Sequence, residues 1–155
     1  FSSGGPQSDL RVLAGAARGQ WRVDEGLNPN DRAVPSASEV KETLERHPGL
    51  ADWFPESRKR QVAEFGSSGV MTFVLYHLRR EDPEAAEEFF KDLFTGENLT
   101  KENPVLALRE RIRRTRNLEG EKRGSRRQVL SLLLEAWEGY REYRANSILA
   151  SGVAH

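Results

Sequence analysis

The sequence predicts an all-α fold, a single-domain bundle of six or seven helices, on three observations. Apolar residues recur every three or four positions along most of the chain. Ser, Asp or Asn stands where those periodic stretches begin, twice with Pro directly after it, and Gly stands where several of them end. No alternating apolar run flanked by a hairpin turn occurs, and no internal repeat at a fixed period.

Residues 1–7 are small, polar and Gly-rich and read as a flexible N-terminal linker. Leu10, Leu13, Ala14, Ala17 and Trp21 then share one side of a short helix that Ser8 or Asp9 can cap. Residues 24–35 carry turn formers without a period and read as a surface loop. Ser36 with Glu39 has the capping-box spacing and opens a helix bearing Val40, Thr43, Leu44 and His47, which Pro48 and Gly49 end. Leu50, Trp53 and Phe54 form an apolar knot before Pro55, and Val62 and Phe65 continue at helical spacing to Gly66. Ser67 or Ser68 caps the next helix, with Val70, Phe73, Val74, His77 and Leu78 on its face.

Start and stop signals agree best over residues 82–116. Asp82 and Pro83 start a helix whose first turns hold Glu84, Glu87 and Glu88 against the positive end of the dipole. Ala86, Phe89, Phe90, Leu93 and Phe94 give its apolar face, and Gly96 ends it with Leu99 folding back. Asn103 and Pro104 repeat the start for a helix with Val105, Leu108 and Ile112 inward. After a polar loop over 118–124, the longest helix begins near Ser125 with Val129, Leu132, Leu133, Ala136, Trp137, Tyr140 and Tyr143. The helical domain is thus expected over 8–145, with 146–155 a fraying tail in which Ile148 and Leu149 can dock on a neighbour.

At 155 residues the chain is long enough to bury roughly 70% of its unfolded surface without a staple. It has no cysteine, so disulfides and thiolate metal sites are excluded, and a cytoplasmic protein is the simpler expectation. Twenty-four basic residues balance 24 acidic ones, so any electrostatic function must be local. No run approaches the ~20 apolar residues of a membrane span, and no signal peptide opens the chain, which implies no membrane partner. The first residue is Phe rather than Met, which points to residues upstream.

No catalytic constellation, metal site or cofactor is expected. His47, His77 and His155 are scattered, and His77 lies on an apolar face as a core histidine. The Gly66 to Gly69 turn and the glycines Gly15 and Gly19 follow no strand and no Lys completes a phosphate loop. Glu42, Glu45, Glu84, Glu87 and Glu88 lie on solvated faces or at a helix start, and Ser67 and Ser68 serve as caps. The aromatics Trp21, Trp53, Trp137, Phe89, Phe90 and Tyr140 sit on apolar faces and read as core.

The one departure is cationic. Arg109, Arg111, Arg113, Arg114, Arg116, Lys122, Arg123, Arg126 and Arg127 fall close together, broken only by Glu110, Glu119 and Glu121, and straddle a loop that can lie along a phosphate backbone. Arg58, Lys59 and Arg60 form a second basic knot. The opposing account is that these arginines are solvated or paired with Glu, each pair contributing only ~0.5 kcal/mol.

The order LAGAARGQWRVDEG, PSASEVKETLERHPGL, FFKDLFTGENLTKENPVLALRERI and LLLEAWEGYR resembles the helical C-terminal region of ParB-like proteins of actinobacterial phages, plasmids and other mobile elements. There, helices carrying a similar FF, Gly, Leu, Pro, LReR stretch and a late AW pair follow a small nuclease-like domain. The matching residues here are Phe89, Phe90, Gly96, Leu99, Pro104, Leu108, Arg109, Arg111, Ala136 and Trp137. The Gly-Gln-His-Arg-type signature of that preceding domain does not occur in this chain. The resemblance implies a non-catalytic helical module associated with DNA. The alternative is a protein-interaction or self-association module built on the long final helix, without nucleic-acid binding.

Overall fold

The structure is a computed structural model. It describes the backbone of residues 6–97, 99–116 and 126–152 and the side chains of residues 9–97, 99–115 and 127–150. Among the described residues every regular element is a helix, in the order α1 (Pro6–Asp24), α2 (Ala37–Arg46), α3 (Gly49–Asp52), α4 (Phe54–Ser57), α5 (Arg60–Ala63), α6 (Ser68–Glu81), α7 (Pro83–Thr95), α8 (Pro104–Arg116) and α9 (Arg126–Gly152). The excess over six or seven comes from α3, α4 and α5, each a single turn. Pro55 has no N–H and its ring crowds the preceding turn, so a continuous helix cannot run through the Trp53–Phe54 knot.

The elements gather into two compact units, Phe1–Glu81 and Asp82–His155, where the apolar stripes were expected to share one core. In the first unit α1 lies along α6, α2 and α3 pack on α1, and α3, α4 and α5 pack on α6. Ala16, Ala17, Leu50, Val62, Phe65, Met71, Phe73, Val74, Leu75 and Leu78 are buried. The glycines of α1 have a packing role. A Cβ on Gly15 would stand 3.6 Å from the Gly69 Cα, and one on Gly19 would meet the Phe73 ring at 2.9 Å, so two glycines and a bare turn let α1 and α6 approach closely.

In the second unit α9 packs on α7 and α8, burying Ala86, Phe89, Phe90, Leu93, Val105, Leu108, Ile112, Leu133, Trp137 and Tyr140. The local signals operate as expected. Asp82 Oδ1 accepts from the Ala85 N–H at 3.2 Å, Asn103 Oδ1 accepts from Val105 at 2.9 Å, and Gly96 closes α7 in the left-handed conformation at φ 68°. In the first unit, Ser36 and Glu39 form the reciprocal capping box at 3.1 and 2.8 Å.

Both chain-end boundaries differ from expectation. α1 starts at Pro6 rather than at a Ser8 or Asp9 cap, Pro being well suited to a first helical turn. α9 continues through Asn146, Ser147, Ile148, Leu149 and Ala150 to Gly152, because that segment holds no Pro and no Gly until its last residue. Residues 1–5 of the expected linker and residues 118–124 of the expected loop lie outside the described residues.

His77, expected as a partly buried, hydrogen-bonded core histidine, is partly buried, but among the described residues its ring has no hydrogen-bond partner. Its ring stacks on Phe73 with centroids 5.1 Å apart and planes 11° apart, and Glu81 Oε2 lies 3.9 Å from Nε2. Burial pushes the imidazole below its ordinary value of 6.5, Glu81 opposing and Arg80 adding to the fall. A base whose folded value is depressed takes up its proton later than the unfolded chain does, so its contribution to stability is full at high pH and shrinks as pH drops below 6.5. Urea unfolding of the natural chain and of His77→Phe at several pH values between 7.5 and 5 checks this. The natural chain should lose stability relative to the variant, with a slope of at most about 1.4 kcal/mol per pH unit, the limit for one proton.

Candidate functional sites

The cations singled out in the sequence take three different positions. Arg109 turns inward: its Nη1 donates to the Leu93 carbonyl, and a Cβ on Gly96 would meet the guanidinium at 2.6 Å. It therefore caps the C-terminal, electronegative end of α7, which corrects its assignment to an outward binding face. Arg58 donates to Asp9 at 2.9 Å and covers the Phe54 ring at 4.3 Å, while Lys59 pairs with Glu56 at 3.0 Å. Two of the three residues in that knot are thus engaged by neighbours, and Arg60 is exposed at the start of α5. Arg111, Arg113 and Arg114 are exposed, on the helix whose residues Leu108 and Ile112 are buried. Among the described residues none of these three has a carboxylate within ion-pair distance. Arg127 is also exposed. The side chains of Arg116, Lys122, Arg123 and Arg126 lie outside the described residues. The basic residues over 58–60 and over 109–127 belong to different units.

The first unit also holds a polar assembly with no local sequence signal. His47, at the C-terminal cap of α2 and only 7% exposed, places Nε2 2.8 Å from Asp24 Oδ2. Its Nδ1 faces the Tyr76 hydroxyl at 2.8 Å and the Arg80 Nη1 at 3.0 Å. A guanidinium only donates, so Nδ1 is an acceptor and Nε2 carries the hydrogen that Asp24 receives. Gln20 Nε2 donates to Asp24 Oδ1 at 2.9 Å, and Arg46 to Asp24 Oδ2 at 2.9 Å. Burial pushes the Asp24 carboxyl up, but the bonds from Gln20, His47 and Arg46 outweigh it and hold the group below its ordinary value. The assembly resembles an acid–base relay in composition, yet both ring nitrogens are engaged by protein partners. Chemically it is a clamp that ties the ends of α1 and α2 to α6.

The second unit carries a cleft of about 450 Å³ bordered by α7, the 97–103 connection and α9. Asp92 lies in it, its Oδ2 accepting from Asn103 Nδ2 at 3.1 Å and from the Tyr140 hydroxyl at 3.0 Å. Burial, followed by the charge of Asp92, pushes the Tyr140 phenol well above the ordinary tyrosine range, so it remains a donor. Arg144 directs Nε and Nη2 at Glu88 Oε2, at 3.0 and 2.9 Å, with Glu84 at 3.6 Å. Among the described residues no group of three or more His, Asp or Glu could hold a metal ion, and no helix is long and apolar enough to cross a membrane. Compared with family models, curated proteins and solved structures, the chain matches none of them.

Proposed function

We propose that this chain is a non-catalytic helical module of a ParB-like mobile-element protein, and that it holds DNA through the arginines of α8. The observation that carries the reading is the contrast among the cations: Arg58, Lys59 and Arg109 have partners within the fold, whereas Arg111, Arg113 and Arg114 stand together in solvent on one helix. Exposed guanidiniums on a rigid element suit phosphate oxygens, which they bind in fork geometry without reading sequence. No cofactor enters this function.

Binding to duplex and to single-stranded DNA, measured between about 50 and 200 mM salt, tests it. Binding should weaken with salt, and replacing Arg111, Arg113 and Arg114 together by Ala should flatten the log–log slope by about 2.7, the share of three phosphates. Arg109 is left intact because its loss would disturb the end of α7. Absence of binding to either form at 50 mM salt or below would overturn the proposal.

A second reading, a protein-interaction or self-association module, is favoured by the last turns of α9, where Ile148 is 51% and Leu149 59% exposed. Light scattering over a concentration series separates the two readings, since a monomer at every concentration, with no protein partner retained, counts against the second.

A further inference from the structure

We propose that the cleft of the second unit binds a primary alkylammonium group, with Asp92 as its anionic anchor and Tyr143 as a wall. The proposal does not rest on the DNA reading, because its ligand is a cation and its residues are not those of α8.

Both protein donors to the Asp92 carboxylate, Asn103 Nδ2 and the Tyr140 hydroxyl, reach the same oxygen, Oδ2. Among the described residues Oδ1 receives no hydrogen bond. The carboxylate is therefore held in one orientation by two fixed groups and keeps acceptor capacity on its other oxygen, within a cleft large enough for a small organic molecule. Tyr143 is half-buried beside Tyr140, ring centroids 5.9 Å apart and tilted by 42°, and Ile148 adds carbon at the border. A tyrosine ring and a carboxylate lining one cleft suit a cation on a hydrocarbon stem, which gains from charge and from the ring quadrupole together.

The surrounding charges select the sign of the ligand. The border has Glu88, Asp92 and Glu97 against Lys91 and Arg144. Arg144 already has two N–H groups on Glu88 and a further carboxylate, Glu84, nearby, so an anion would find it committed. Asp92 and Glu97 then exceed Lys91. An ammonium supplies three donors on a small head, so it can donate to Asp92 Oδ1 without displacing the bond from Tyr140 to Oδ2.

Titration of the full chain with 1,5-diaminopentane, a free amine, and with N-acetyl-lysine amide, a peptide-borne one, tests the proposal by calorimetry and by the NMR signals of the tyrosine rings. At least one amine should bind saturably with one-to-one stoichiometry and move the Tyr140 and Tyr143 signals, and the tighter of the two identifies the source. Pentanol, with the same stem and no charge, should not bind. Asp92→Asn keeps the shape and should weaken binding about tenfold or more, and Tyr143→Ala should weaken it without touching Asp92. The triple α8 variant should bind the amine unchanged. Failure of both amines to bind at millimolar concentration, or tyrosine signals unmoved in the natural chain, overturns the proposal whatever happens to the Asp92→Asn fold. Equal binding by folded Asp92→Asn does so too.

Discussion

Replacing Trp137 by Ala should lower stability by about 3–5 kcal/mol, the range for emptying a large aromatic site in a packed core. Trp137 is 1% exposed and meets Phe89 edge-on, centroids 5.4 Å apart and planes at 73°. Phe89 in turn meets Tyr140 at 5.3 Å and Phe90 at 5.6 Å, so one indole is the edge partner of a ring that links α7 to α9. Its loss leaves a void that rigid aromatic neighbours fill poorly, and removes edge-to-face contacts that each contribute about 0.5–1.5 kcal/mol beyond burial. A domain is stable by about 5–15 kcal/mol, so this single change approaches the whole margin of a weak one. Urea unfolding followed by far-ultraviolet circular dichroism measures it, and Trp137→Phe, which keeps a ring against Phe89, should cost less than half as much. A loss below about 1 kcal/mol for the Ala variant would contradict the packing described.

Trp137 was legible as core because it recurs with Leu133 and Tyr140 at helical spacing. The same is true of Phe89, Phe90 and Leu93, and the caps at Asp82, Gly96 and Asn103 act within three residues of themselves. What was not legible depends on distance along the chain. Arg109 looked like one more solvated cation because its partner, the Leu93 carbonyl, lies 16 residues back. His47 looked isolated because Asp24 and Tyr76 are 23 and 29 residues away. The cleft around Asp92 draws on Asn103 and Tyr140, 11 and 48 residues off. Periodicity also marks which face of a helix is buried without naming the face it meets, and so the division into two units had no counterpart in the sequence reading. The turns of α3 and α4 were read only as an apolar knot for a different reason: four residues contain too little of a helical period to be seen, whereas Val62 of α5 already stood at helical spacing from Phe65.

The His47 clamp gives the second large expectation. Asp24→Ala should destabilise the chain by about 2–4 kcal/mol, because hydrogen bonds to a charged group contribute about 1.5–3 kcal/mol and the donors left behind are costly when shielded from water. The burden falls on His47 and Gln20, which are buried. Arg46, with more than half its side chain exposed, turns to solvent at little cost. Asp24→Asn retains an acceptor of the same shape and should cost less, and its comparison with the natural chain has a defined dependence on pH. The Asp24 carboxyl is held below 3.8 in the fold, so it releases its proton more readily there than in the unfolded chain. Its stabilising contribution is therefore full above pH 3.8 and fades as pH falls through the lower folded value. The natural chain should thus exceed Asp24→Asn at pH 5, and the margin should narrow below pH 3.8. Urea midpoints across that range decide the matter: a margin that stays level into acid would mean that Asp24 acts by shape alone, with no charge-assisted hold on His47.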